Sequence, residues 1–535
     1  MPKKNKKFYI TTAIDYVNSQ PHLGHALEKI QADVLARHHR LKGEDVLFLT
    51  GTDEHGRKVL EAAEAAKKDA KSFVDENVRK FKELTKILNI SNDDFIRTTD
   101  KKRHWPAVKK IWLKLKESGD IYKKKYKGLY CSGCEAFITK KDLIDGKCRT
   151  HHKEPEIIEE ENYFFKLSKY AKVIELKIKN NKLRIVPEAR RNEILNFIKQ
   201  GLEDVSFSRP SKDLPWGIPV PGDKSQTIYV WADALVNYIS AIGYSRNSKF
   251  KIQNSKFLRY WSADIHVIGK DILRFHATIW PGMLLSIGLE LPKTIFVHGF
   301  ITVGGQKMSK SLGNVIDPIA LFNKYGVDVV RYYLLREIPS TEDGDFTYEK
   351  FEARYNADLA KGLGNLVARV ITLATRLISN FPAFTKVSAG RQFPPTRSRV
   401  LDRVGTISKQ IPNSKFQAII KKTWRSYHKA LDNFRFNEAL EHIWKLISFC
   451  DKYIQKEKPW QYKNQETSRD KNQEFESIIH NLLFALINIA WLVEPFLPET
   501  SDKIFKQLCI KKSDKRVWTG RFVIRKSAVL FPRIK

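Results

Sequence analysis

Cysteine is scarce: the 535-residue chain holds five, too few for a disulfide framework at this length and in keeping with a reducing compartment. Long apolar runs are scarce too. The longest, Ile478 to Val493, carries His480, Asn481 and Asn488 and ends just before Pro495, which fits a buried bundle helix better than a membrane span. The N-terminus, MPKKNKKFYI, runs into a short apolar strand with neither a signal-peptide core nor a small-residue cleavage site, so a cytoplasmic protein without a membrane partner is expected. Acidic residues are in deficit, 60 against 95 Lys and Arg, a net charge of +35. This exceeds what solubility needs and suits a polyanion bound through its phosphates, nucleic acid first, although a generally lysine-rich surface gives the same number.

What is present is a globular composition, 42% hydrophobic and 29% charged, in a chain long enough for about three or four domains. An apolar strand from Phe8 to Ile14, a helix opening near Gly24, a strand from Val46 to Thr50 and a helix from about Lys58 give the βαβ rhythm of a parallel sheet. The rhythm lapses after Gly119 into a stretch rich in Tyr, Lys and Cys. It returns in Gln226 to Ala241, His266 to Lys270 and Thr294 to Val303. From about Tyr355 helical periodicity takes over, as in Phe436 to Tyr453. The expected fold is α/β: a Rossmann-like parallel-sheet domain split by an insertion whose clustered Cys131, Cys134 and Cys148 make it a zinc-binding one, followed by an all-α helical bundle. The ranges are 1–118 for the first half of the sheet domain, 119–215 for the insertion, 216–303 for the second half, 304–354 for a loop and connecting region, and 355–535 for the bundle. Within the bundle Phe381 to Phe416, rich in Pro, Ser, Arg and Gly, reads as a surface excursion.

Three motifs carry chemistry. His22-Leu23-Gly24-His25, after Pro21, falls where the first strand ends and the first helix begins, where backbone N–H groups and the helix dipole favour phosphate. Two histidines on that turn can donate to a triphosphate, and Gly24 lets a flat base approach the backbone. Lys307-Met308-Ser309-Lys310-Ser311, flanked by Gly304, Gly305 and Gly313, puts two lysines on a glycine-hinged loop able to swing cations onto phosphate charge. Cys131-x2-Cys134 and, thirteen residues on, Cys148-x2-His151 are two knuckles with the spacing of a closed tetrahedral zinc site. His152 is an alternative fourth ligand.

HLGH after an early strand and KMSKS after a late one resemble the two signatures of class I aminoacyl-tRNA synthetases. The chain is most similar to the methionyl-tRNA synthetase family, through TTAIDYVNSQPHLGH (Thr11 to His25), GTDEHG (Gly51 to Gly56), YVWADALVNY (Tyr229 to Tyr238), IGKDILRFH (Ile268 to His276) and DLAKGLGNLVAR (Asp358 to Arg369), and on to the closing Leu530 to Ile534. The resemblance implies that the sheet domain is catalytic, that 304–354 includes a region contacting the tRNA stem, and that the bundle binds the anticodon. It implies activation of L-methionine by ATP and transfer to tRNA(Met), initiator and elongator.

The resemblance further implies a methionine pocket of Ala13, Ile14, Tyr16, Trp231, Ala234, Leu235, Tyr238, Ile272 and His276, with Asp53 facing the ammonium. A thioether suits an apolar slot with one weak polar contact, the Tyr238 hydroxyl oriented by His276. His22, Gly24, His25, Lys270, Asp271, Lys307 and Lys310 would bind ATP with its Mg2+. His22, His25, Lys307 and Lys310 would act catalytically, through positioning and charge. Asn365, Arg369 and Trp460 match anticodon-reading positions, an amide, a guanidinium and an indole for unstacked bases. Asp451 departs from the Asn common there. One structural Zn2+ per chain is expected.

The rival readings are weaker. The valine, isoleucine and leucine enzymes carry a large editing domain, whereas about 280 residues separate His25 from Lys307 here. A cysteine enzyme needs an open zinc position that the paired knuckles do not leave. A non-catalytic tRNA-binding relative leaves both phosphate motifs unexplained, as does a zinc-dependent nucleic-acid module. The chain ends just after the bundle, without the further C-terminal domain that makes some relatives dimers, so a monomer is expected.

Overall fold

The apolar strand foreseen near the N-terminus is β1 (Lys7–Thr12), whose last five residues are all buried. A computed structural model describes it together with residues 5–133, 136–138, 143–149, 152–245, 256–307, 316–380, 412–462, 469–512, 524–525 and 528–534. Contacts divide the chain into two compact units, Met1–Lys324 with Thr341–Asp345, and Tyr325–Ser340 with Phe346–Lys535.

The first unit is built on a seven-stranded sheet. Its strands are β1, β2 (Asp15–Tyr16), β3 (Asp45–Asp53), β4 (Asp94–Arg97), β5 (Arg184–Val186), β6 (Ile265–Gly269) and β7 (Thr294–His298). They run in the order β5-β7-β6-β1-β3, with β2 and β4 both paired to β3, and every pairing is parallel. Strands such as β6 and β7 are buried along their whole length, as expected where both faces of a parallel sheet are covered. Helix α1 (Leu23–Leu41) follows β1 and β2 and buries thirteen of its residues.

Two expectations change here. Gln226 to Ala241, read as a return of the parallel fold, instead begins in the strand Asp223–Ile228, which pairs antiparallel with Ser208–Pro210 and Pro219–Val220 in a separate small sheet, and continues as short helices. Arg184–Val186 lies inside the 119–215 range yet pairs with β7 at the edge of the main sheet. Three residues carry no periodicity, so their place was set by what they pair with.

The insertion proper is an antiparallel ribbon of Ile121–Cys131 against Glu156–Phe165. Lysines stand opposite glutamates in it, Lys125 to Glu161 and Lys127 to Glu159, pairs worth about 0.2–1 kcal/mol each. Helix α2 (Trp105–Glu117) precedes it, and two short helices, α3 (Val230–Ala234) and α4 (Asn237–Ser240), follow the small sheet.

The second unit is helical, with α5 (Asn365–Asn380), α6 (Ser414–Asp432), α7 (Phe436–Glu457) and α8 (Arg469–Val493). Asn413 caps α6, its side chain accepting from the Phe416 N–H, so the last residues of the foreseen excursion are already helical. Residues 381–411 lie outside the described ones. Within α8, Lys471–Val493 is long and apolar enough to cross a bilayer, but 67% of its apolar stretch is buried inside the unit, the pattern of a bundle core helix.

Candidate active site

A cavity of about 620 Å3 opens at the carboxyl ends of β1, β3, β6 and β7, where doubly wound sheets bind ligands. All ten residues expected around methionine line it: Ala13, Ile14, Tyr16, Asp53, Trp231, Ala234, Leu235, Tyr238, Ile272 and His276. Of the residues expected around ATP, His22, Gly24, His25 and Asp271 line it as well.

The HLGH turn builds its donors through the helix cap. His22 is the N-cap of α1, extended at φ −134°, and its Nδ1 accepts from the Gly24 N–H at 3.1 Å. His25 Nδ1 in turn accepts from the His22 N–H at 3.1 Å. With both Nδ1 atoms accepting, Nε2 is the protonated nitrogen of each ring, which is the donor a phosphate requires. A Cβ at position 24 would come within 2.9 Å of the His22 ring, so a side chain there would push against the ring that caps the helix. Burial, reinforced by the charge His22 would carry, holds the His25 pKa well below its ordinary value, so this ring donates as a neutral imidazole.

At the apolar end, the Tyr238 hydroxyl lies 2.7 Å from His276 Nε2, and His276 Nδ1 lies 3.0 Å from the Ile272 carbonyl. Nδ1 must therefore carry the proton, and Nε2 accepts from the Tyr238 O–H. Tyr238 then presents oxygen lone pairs, not a proton, to the cavity. Burial lowers the His276 pKa to about 4, so this arrangement is neutral across the physiological range. Trp231 is backed by Phe275, the rings stacked at 3.9 Å and 4°, and Tyr238 lies on His266 at 4.1 Å.

The acids of GTDEHG separate by role. Glu54 takes a bidentate pair from Arg97, 2.7 Å to each oxygen, while Asp53 faces the cavity with Thr98 Oγ1 at 3.5 Å. Two groups that motif reading missed also line the cavity. His298, at the end of β7, has Nδ1 at 2.8 Å from the Gly299 carbonyl and Nε2 at 3.0 Å from Glu28. Burial alone would lower its pKa, but the bond and charge of Glu28 outweigh that and raise it. Glu28 stands three residues after His25 on the same helix face, the one signal that could have found it.

Lys270 departs from expectation. It does not line the cavity: its Nζ bonds both Asp343 carboxylate oxygens at 2.7 and 2.8 Å and lies 4.5 Å from the centre of the Phe300 ring. The tie draws Thr341–Asp345 against Gly299, where a Cβ would come within 2.1 Å of the Glu342 carbonyl oxygen. A lysine next to a strand end reads as a phosphate ligand until the residue opposite is known. Lys307 closes a two-residue strand paired with Ile301–Val303; its side chain and all of Lys310 lie outside the described residues.

The two zinc knuckles are partly visible. Cys131 and Cys148 are both buried and share one small core with Ile138, bordered by Leu129 and Leu143. The Cys148 N–H donates to the Lys153 carbonyl at 2.8 Å and the His152 N–H to the Cys148 carbonyl at 2.7 Å. Cys134 and His151 lie outside the described residues, among which no group of three or more metal-ligating side chains occurs.

In the second unit, Asn365 opens α5 on its exposed side, and Trp460 sits on a short turn (Pro459–Gln461) with 38% of its surface exposed. Arg369, half-buried, donates to Asp451 on α7 at 3.1 Å.

Comparison with known proteins gives a consistent picture. The family model described as tRNA synthetases class I (M) matches residues 8–148 and 138–371, and the model for the anticodon-binding domain of tRNA ligase matches 414–525. The methionine–tRNA ligase of Thermotoga maritima is 43% identical over 95% of this chain and 76% of its own. That of Bacillus subtilis is 39% identical over 100% and 79%. The Mycobacterium tuberculosis methionyl-tRNA synthetase in complex with methionyl-adenylate superposes with a TM-score of 0.87 at 36% identity, over 99% of this chain and 100% of that one.

Proposed function

The chain belongs to the methionyl-tRNA synthetase family of class I tRNA ligases, and on that premise we propose how its own residues divide the work of activating L-methionine with ATP and passing it to tRNA(Met). One observation carries the assignment of residues: a single cavity is lined both by the HLGH turn and by all ten side chains expected around methionine.

Methionine enters with its ammonium at Asp53 and its side chain between Trp231, Ala234, Leu235, Ile272 and Tyr238. The apolar walls supply affinity, and the Tyr238 oxygen, its proton committed to His276, makes the polar contact by facing the electron-poor end of a C–S bond, since sulfur has no proton to donate. A methionine carboxylate oxygen then attacks the α-phosphorus of MgATP in line, and the bond to the pyrophosphate leaving group breaks. Transfer follows when the terminal ribose hydroxyl of tRNA attacks the adenylate carbonyl and AMP leaves. Neither step needs a strong acid or base, so positioning and charge carry the rate.

His22 and His25 hold the phosphates through Nε2–H. Their orientation is locked by the helix cap, so little reorganisation is needed as charge shifts. Lys307 and Lys310 follow the departing pyrophosphate, with Lys310 the dominant contributor. Asp271 borders the nucleotide, while Lys270 acts one step away by anchoring Thr341–Asp345.

In the helical unit, Trp460 is the stacking plate for an anticodon base, and its exposure supports that role. Asn365 and Arg369 read base edges, Arg369 being held by Asp451. Cys131, Cys134, Cys148 and His151 would hold one Zn2+; the shared burial of Cys131 and Cys148 fits this set, and the ion would supply folding energy to the insertion. The chain acts in the cytoplasm as a monomer on initiator and elongator tRNA(Met).

Pyrophosphate exchange across all twenty amino acids tests the assignment. Methionine is expected to support exchange far above the others, and a better response to any other amino acid would overturn it.

A further inference from the structure

Behind the cavity wall, three stretches of sequence meet at one buried carboxylate. Asp233 is 1% exposed, and each of its oxygens faces an imidazole. Oδ2 is 2.6 Å from His55 Nδ1, and Oδ1 is 2.7 Å from His104 Nε2. Burial alone would raise the Asp233 pKa, but the two rings outweigh it and hold it below the ordinary value, so the carboxylate is ionised and accepts from both. His104 reaches on to Ser240, Nδ1 to Oγ at 2.8 Å. His104 precedes α2 without capping it through its side chain; its ring atoms are spent on the α3–α4 segment instead.

That segment needs outside support. Helices of five and four residues cannot hold their own position, because nucleation costs more than one turn of hydrogen bonds returns. The supports are the carboxylate of Asp233 near one end, Ser240 at the other, and the Tyr238 carbonyl between them, which accepts from Tyr9 Oη at 2.7 Å. The segment contributes Trp231, Ala234, Leu235 and Tyr238 to the cavity, whereas Asp233 is not among the lining residues.

His55 stands two residues beyond Asp53, wedged between Trp105 and Trp216 at ring distances of 6.1 and 5.8 Å. The Trp216 indole N–H donates to the Glu54 carbonyl at 2.6 Å, so the chain just past Asp53 is fixed on both sides. The carboxylate of Asp233 therefore joins the strand end that carries the ammonium anchor to the helices that carry the thioether slot.

We propose that the His55–Asp233–His104 tie is a length gauge: it holds Asp53 and the α3–α4 slot at one separation and so selects a side chain of methionine's length. The proposal rests on the assignment of Asp53 and the slot made above. The three residues are positioning residues, since none touches the substrate. Discrimination by one methylene in an apolar slot is worth roughly ten- to two-hundredfold when the slot is rigid, and a slot free to slide along its anchor loses part of it.

Asp233→Asn keeps the shape but turns a donor toward one imidazole. In pyrophosphate exchange it is expected to raise the methionine KM by about tenfold with kcat changed less than about threefold. Preference for methionine over ethionine, one methylene longer, and over S-methylcysteine, one shorter, should fall by about fivefold or more. Preference over norleucine, of equal length, should stay as in the wild type. His55→Leu should reproduce this pattern, whereas His55→Asn, which places an amide N–H where Nδ1 stood, should restore wild-type ratios. The His55 pair carries the same contrast if Asp233→Asn does not fold.

Wild-type length preferences in Asp233→Asn and His55→Leu would overturn the gauge, as would equal losses for all four amino acids accompanied by a lowered Tm. Trp231→Ala separates the two layers. If it leaves the methionine KM unchanged, the slot assignment itself fails; if it raises KM while the length ratios stay intact in the tie variants, the gauge alone fails.

Discussion

Tyr238→Phe removes one oxygen from a buried pair and changes almost nothing else. The hydroxyl sits 2.7 Å from His276 Nε2 and both residues are buried, so the variant leaves an imidazole nitrogen without its donor. Water in the open cavity can donate to that nitrogen until a bound side chain displaces it, and the acceptor then left unmet costs about 1–3 kcal/mol on binding, a factor of roughly five to a hundred and fifty. His276 cannot escape by switching tautomer without losing the bond from Nδ1 to the Ile272 carbonyl at 3.0 Å. The lost contact at the methionine sulfur adds a smaller cost, about 0.3–1.5 kcal/mol by analogy with other weak sulfur contacts. Norleucine has no sulfur and bears only the first cost. The expected result in pyrophosphate exchange is a fall in kcat/KM of about ten- to a hundredfold for methionine, with the methionine-to-norleucine ratio falling by about two- to tenfold. Preference over ethionine should be unaffected, the opposite of the pattern expected for Asp233→Asn. A variant with the wild-type methionine-to-norleucine ratio would refute the role given to the Tyr238 oxygen.

Lys310→Ala should slow adenylate formation by about two to four powers of ten with little change in methionine affinity, read by single-turnover kinetics; an unchanged activation rate would remove this lysine from the transition state. Cys131→Ser should lower zinc content from one per chain by elemental analysis, and fully active wild-type protein without zinc would remove the knuckle assignment. Trp460→Ala should cut charging of tRNA(Met) by about ten- to a hundredfold while leaving exchange nearly intact, and Arg369→Ala should behave alike. Equal losses in both assays, with anticodon discrimination unchanged, would mark Trp460 as a packing residue.

The motif residues were legible because their spacing is local. HLGH could be placed at a strand-to-helix turn from its neighbours alone, and the structure puts His22 at the N-cap of α1. The pocket residues were legible as blocks of resemblance, and all ten line one cavity. Elements without a period of their own were not. Arg184–Val186 is too short to announce itself, and Asp223–Ile228, polar in all but its last residue, has no apolar alternation to mark it as a strand or to name its antiparallel partners.

By itself the sequence determined the opening alternation of strand and helix, the parallel-sheet core, the helical second unit and the chemical types brought to the site, because periodicity and capping act over a few residues. Only the tertiary structure decided which polar atoms meet. Lys270 was drawn to Asp343, 73 residues on, and away from the cavity. Glu28 was matched with His298, 270 residues apart, and Asp233 with His55 and His104. A buried charge has a large desolvation cost and must find a partner wherever the fold supplies one, and nothing along the chain records where that is.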